Sequence, residues 1–157
     1  MKLKFKQAYM KTAETFAELS YARRLHVGAI IVKDDRIISI GYNGMPAGWD
    51  NNCEYEEVYS RQPAPGDEYE TVHTGILRTR PEVLHAETNA IAKLARSTES
   101  GLDADLFVTH SPCLDCAKLI YQAGIKRVFF GTQYRDSAGI DFLKASGVDV
   151  EQIDLQD

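Results

Sequence analysis

Apolar residues recur at helical spacing through Phe5, Tyr9, Met10, Ala13, Phe16, Ala17 and Leu19, while Lys4, Lys6, Lys11, Glu14 and Glu18 fill the other face. This period predicts an amphipathic helix over residues 3–20. A β-branched run over residues 27–32, the polar turn Lys33-Asp34-Asp35-Arg36 and a second apolar run over residues 37–40 predict an antiparallel hairpin. Residues 41–48 read GYNGMPAG, and three glycines with a proline predict irregular backbone that comes close to something. From 49 to 84 the pattern loses its period. Residues 54–59 could form a short helix and residues 62–66 break the chain, so an irregular insertion is expected at about 49–84.

Periodicity returns over residues 82–96, where Ala86, Ala90, Ile91, Leu94 and Ala95 make an apolar face behind Pro81. That predicts a helix with His85 and Glu87 in its first turn. Residues 106–109 read as a short buried strand, and Ser111 as cap with Pro112 as first residue predicts a helix over residues 113–123. A strand over 127–131, a helix over 137–146 and a strand over 148–150 complete a βαβαβ order. After a hairpin, that order predicts a mixed sheet with helices on its faces. No repeat or boundary interrupts the pattern, so residues 1–157 are expected to form one domain.

Charge changes the picture in one region. Residues 43–84 hold eight acidic side chains against three arginines, which is the whole net charge of -5; the remainder balances at fifteen against fifteen. A polynucleotide binder carries a basic footprint, so a small substrate and no nucleic-acid partner are expected. No apolar run reaches the length of a membrane span, and residues 1–11 scatter lysines without an apolar core, so neither a membrane nor a targeting segment is expected. Of three cysteines, two share one motif and Cys53 has no evident disulfide partner, which favours a reducing, cytoplasmic setting.

The chemistry concentrates in His85-Ala86-Glu87 and Pro112-Cys113-Leu114-Asp115-Cys116. Each half alone is ambiguous: a CxxC also marks redox and structural zinc sites, and a histidine or glutamate at a helix start commonly serves the helix end. In this order, with a helix start predicted at each, they point to a catalytic zinc. Cys113 and Cys116 would be thiolates at a helix N-terminus, His85 the third ligand, and one position would stay open for a water. Glu87 stands near that water without having to be a ligand, and apolar surroundings would raise its pKa for work as both acid and base.

With Val27-Gly-Ala-Ile-Ile-Val32, Gln122-Ala-Gly-Ile-Lys126 and Tyr134-Arg-Asp136, these motifs make the sequence resemble the cytidine deaminase-like superfamily. The run Gly41-Tyr-Asn-Gly-Met-Pro-Ala-Gly48 resembles its deoxycytidylate (dCMP) deaminase branch. The resemblance implies a three-layer α/β/α fold around a mixed five-stranded sheet. It also implies hydrolytic deamination of dCMP to dUMP with release of ammonia, supplying the dTTP pathway. Zn2+ would lie at His85, Cys113 and Cys116, with Glu87 catalytic. Asn43, Ala86, Ser111 and Tyr134 would contact the nucleotide, and Arg24 and Arg80 are candidates for its phosphate because arginine binds phosphate bidentately. A homo-oligomer, typically a hexamer, is implied, activated by dCTP with Mg2+ and inhibited by dTTP, with Gly41, Asn43 and Gly44 as effector contacts. Some relatives carry a second, structural zinc in the insertion, for which this chain offers only Cys53 and His73.

Other readings stand beside these. Asn43 could be a turn residue, Tyr134 an aromatic closing the core, and Arg24 and Arg80 solvated surface. A deaminase acting on bases in RNA or DNA, a non-catalytic zinc-stabilised nucleotide-binding module, and an enzyme acting on free cytidine would use the same motifs.

Overall fold

The computed structural model describes residues 1–66, 68, 72–134 and 136–155, leaving out the side chains of residues 61, 72 and 73. The expected second-zinc position at His73 therefore lies outside the described side chains, whereas Cys53 is buried.

A five-stranded sheet organises the molecule: β1 (Gly28–Lys33), β2 (Arg36–Tyr42), β5 (Asp105–His110), β6 (Arg127–Thr132) and β7 (Asp149–Gln152), in the order β2-β1-β5-β6-β7. β1 pairs antiparallel with β2 and β5, whereas β5, β6 and β7 run parallel. The β1–β2 turn closes on Asp34 and Asp35, both at positive φ (50 and 59), the left-handed pair that a two-residue hairpin turn requires.

Alternation along the strands separates two cores. Ala29, Ile31, Leu106, Val108, Val128 and Phe130 face α2 (Ala86–Ala95), α3 (Leu114–Gln122) and α4 (Ala138–Ala145). Ile30, Val32, Phe107 and Phe129 point the other way, onto Met10 and Ala13 of α1 (Leu3–Ala17). Helices thus cover both faces and the expected three layers are present. Among the described residues, no helix is long and apolar enough to cross a membrane.

Three details of the pattern are corrected. Among its described residues the insertion is not irregular throughout, and residues 54–59 form a strand, not a helix. β3 (Glu54–Arg61) and β4 (Val72–Thr79) form an antiparallel hairpin apart from the main sheet, in register from Glu54↔Thr79 to Arg61↔Val72. Second, α2 begins at Ala86 and not near residue 82, because Gly44 and Leu84 exchange both backbone hydrogen bonds (3.1 and 2.8 Å) and hold residue 84 in a β-bridge. Third, α3 begins at Leu114, with Cys113 as its cap, because the Ser111 hydroxyl accepts the Tyr134 N–H at 2.6 Å and does not cap the helix.

α2 is fastened to the sheet edge. Ser39 Oγ donates to the Ala90 carbonyl (2.6 Å), Asn89 Nδ2 to the Tyr42 carbonyl (2.8 Å) and Lys93 Nζ to the Ile40 carbonyl (2.8 Å). The contact is close enough to require Gly41, since a β-carbon there would overlap the Ala86 carbonyl oxygen and lie 2.7 Å from the Ala90 nitrogen.

Candidate active site

Two helix caps meet above the C-terminal edge of β5. His85 caps α2 with extended backbone (φ -76, ψ 153), its carbonyl accepting the Asn89 N–H. Cys113 caps α3 in the same way (φ -69, ψ 169), its carbonyl accepting the Ala117 N–H. A cap residue's side chain leaves the helix at its positive end, which favours a thiolate. Cys116, one turn further on, completes the group. His85 Nδ1 lies 3.4 Å from Cys116 Sγ and 3.7 Å from Cys113 Sγ, and all three ligand atoms fall within 4.8 Å of one another. Packing fixes the second cap: a β-carbon on Gly139 of α4 would overlap the Pro112 carbonyl oxygen and lie 2.8 Å from that of Cys113.

The two thiols are pushed in opposite directions. Hydrogen bonds from Cys116 and then His85 pull the Cys113 thiol down to about 3, and the same bond to Cys113, with burial and the Glu87 charge, pushes Cys116 up. The hydrogen bond to Cys113 also raises the His85 imidazole. Two cysteine sulfurs, which bind metal as thiolates, and one imidazole nitrogen are the donor set of a zinc site with three protein ligands. Ordinary zinc bond lengths at a tetrahedral angle separate nitrogen and sulfur ligands by about 3.6 Å. The separations of 3.4 and 3.7 Å fit that ion.

Beside the group, Glu87 is 4 % exposed. Burial pushes its carboxyl above the usual range, against the opposing pull of the Cys116 hydrogen bond and the His85 charge. A cavity of about 400 Å³ opens over His85, Cys113 and Glu87. The arrangement puts a metal site and a carboxyl able to carry a proton against one ligand-sized space.

Residues 3–132 match the family described as the cytidine and deoxycytidylate deaminase zinc-binding region. The chain belongs to this deaminase family. It is 35% identical over 150 residues to the deoxycytidylate deaminase of enterobacteria phage T4, covering 79% of this chain and 77% of the relative. The human deoxycytidylate deaminase is 36% identical over 137 residues, covering 86% and 69%. The crystal structure of dCMP deaminase from cyanophage S-TIM5, in complex with dCMP and dUMP, superposes with a TM-score of 0.81 at 45% identity over 97% of this chain and 98% of that one.

Within this deaminase fold the expected contact residues divide. Arg24, Asn43, Ala86, Ser111 and Tyr134 line the cavity with His85, Glu87 and Cys113. Arg80 does not; it lines a second cavity of about 380 Å³ with Met45, Trp49, Asp50, Asn52 and Glu82. Asn43 is no simple turn residue: its side chain accepts the Val27 N–H (2.9 Å) and donates to the Leu25 carbonyl (2.8 Å). Gly41 packs on α2, and Gly44 has open space around it.

The motif reading missed Glu54, Thr79 and His110, all of which line the cavity. Glu54 and Thr79 come from the unforeseen hairpin, and the signal for it lay in the β-branched Val72, Thr74, Ile76 and Thr79. His110 ends β5 at the carboxyl edge of the parallel strands, where ligands of α/β folds bind, so its place in the topology was the signal.

Proposed function

We propose that residues 1–157 act as a single deaminase domain that hydrolyses dCMP to dUMP and ammonia, supplying the route to dTTP. The observation that carries this reading is the His85, Cys113 and Cys116 group set beside buried Glu87 at a cavity of about 400 Å³. The family membership and the nucleotides bound by the cyanophage relative support the substrate.

His85, Cys113 and Cys116 would hold Zn2+, which when bound supplies a Lewis acid able to make a water nucleophilic at neutral pH. Glu87 moves the protons. Its carboxylate accepts one from the attacking water and gives it to the pyrimidine ring nitrogen, then takes the second from the new hydroxyl and passes it to the amine, so that the C–N bond breaks, ammonia leaves and a carbonyl remains. Burial suits it to both roles by raising its affinity for the proton. Asn43, Ala86, Ser111 and Tyr134 orient the nucleotide, and Arg24 takes the phosphate.

The reading extends to regulation by dCTP with Mg2+ and by dTTP, in a hexamer. The loop after β2 supports this, because Asn43 lines the first cavity and Met45 the second, where Arg80 supplies a cation. One backbone segment therefore touches both spaces.

Ammonia release from dCMP, dCTP, CMP and cytidine, each with and without added dCTP and dTTP, tests the proposal. Turnover of dCMP above the other substrates is expected, and zinc-loaded protein that deaminates no pyrimidine would sink it.

A further inference from the structure

The cavity wall formed by residues 20–27 has no regular structure, since α1 ends at Ala17 and β1 begins at Gly28. Its backbone groups must find partners elsewhere. Two side chains from outside the segment partner four of them. Asn43 clamps Leu25 and Val27, as described above, and Glu54 clamps the two residues before them. Glu54 Oε1 accepts the N–H groups of Arg23 (2.7 Å) and Arg24 (3.1 Å). The carboxylate is 1 % exposed, and its ladder partner Thr79 is the last residue of β4, so the root of the insertion closes this wall.

The two arginines are then used differently. Arg23 folds back, its Nε 3.4 Å from Glu54 Oε2 and its Nη2 3.1 Å from Asn52 Oδ1, so its charge is compensated. Arg24 turns to the cavity, where Nη1 donates to the Thr79 hydroxyl at 3.0 Å. Among the described residues its guanidinium pairs with no carboxylate, and it is the only arginine or lysine lining this cavity. A carboxylate in the wall of an anion site repels the anion unless donors saturate it; the Arg23 and Arg24 N–H groups do so here.

We infer that Glu54 is a positioning residue which, with Thr79, presents Arg24 to the phosphate, so that preference for a phosphorylated nucleoside over the free nucleoside resides in the root of the insertion. This rests on the dCMP reading of the same site. Glutamine at position 54 would keep one oxygen but turn an amide NH2 toward the Arg23 guanidinium, loosening the clamp without removing a ligand or the proton carrier.

The test compares zinc-loaded wild type with Glu54→Gln, Glu54→Asp, Thr79→Val and Arg24→Ala on dCMP and deoxycytidine, with binding of dUMP and deoxyuridine measured by calorimetry. In Glu54→Gln, Thr79→Val and Arg24→Ala, KM for dCMP and Kd for dUMP should rise about tenfold or more, the size of one charge-assisted hydrogen bond. The fall in kcat should be smaller, and Glu54→Asp should recover part of the preference for dCMP. A merely structural role would weaken both substrates together; that result, or unchanged dUMP affinity, overturns the inference. Thr79→Val, at an exposed strand end, carries the test if Glu54→Gln does not fold. Wild type that turns over no dCMP would overturn the parent reading instead, and the dUMP and deoxyuridine arms would still judge Glu54.

Discussion

The two walls of the cavity are built by opposite means. On the metal side, two helix starts are pressed onto backbone, α2 against Gly41 and the α3 start against Gly139, and the side chains of Ala86, Glu87 and Cys116 are buried. On the other side, residues 20–27 and an exposed hairpin are held by side-chain hydrogen bonds from Ser20, Asn43 and Glu54. The first wall has no room for change. The second can be altered one bond at a time, and on the proposed reading that division separates reaction from recognition: positions that must be held to a fraction of an ångström would sit in close-packed core, and substrate preference where it can be tuned.

Substitutions on the metal wall should therefore be the more severe. Cys116→Ala should lose both bound zinc and activity, and zinc retained at one per chain with turnover intact would remove this cysteine from the site. Glu87→Gln should lower kcat by about 10²- to 10⁴-fold while metal content stays at the wild-type level. Loss of zinc with the activity would make Glu87 a structural support, not a proton carrier.

Gly41→Ala should cost about 1–3 kcal/mol in urea unfolding, because the new β-carbon must push α2 off the sheet. Gly44→Ala, with nothing within 4 Å of its β-carbon, should stay within about 0.5 kcal/mol of wild type. Equal costs at the two glycines would show that packing on α2 is not what Gly41 is for.

The recognition wall should show its character in acid. Burial works to raise the Glu54 carboxyl, but the Arg24 and Arg23 N–H groups and the Arg23 guanidinium outweigh it and hold it below the usual carboxylate range. A depressed folded pKa contributes stability that is complete above the unfolded value and is lost as pH falls through the folded one. Wild type should therefore exceed Glu54→Gln in urea stability near neutrality, and the margin should shrink as pH falls below about 4. A margin independent of pH would mean that the carboxylate's charge is not what holds the segment.

Legibility in the sequence followed burial. β1, β2, β5 and β6 alternate between two cores, and α1 presents one apolar stripe, so period alone located them. The β3–β4 hairpin has no such signature. Val58 is 60% exposed and Ile76 40%, so neither face writes an apolar alternation, and Glu54, Glu56 and Glu57 made the first strand resemble a polar helix. The two helix starts were misplaced, α2 by four residues and α3 by one, for a tertiary reason, since Leu84 pairs with Gly44 and the Ser111 hydroxyl accepts the Tyr134 N–H, partners that lie far off in the chain. His85, Glu87, Cys113 and Cys116 were legible because their chemistry is tied to spacing within two short motifs. Glu54 and Thr79 were not, because only strand pairing brings them to the cavity.

Trp49 is the chain's single tryptophan, 56% exposed in the wall of the second cavity. The protein's intrinsic tryptophan emission therefore comes from one address, outside the space where the pyrimidine would react. Titrating dCTP or dTTP into protein stripped of zinc should shift that emission if either nucleotide occupies the second cavity. Occupancy could thus be read by light from a molecule that catalyses nothing.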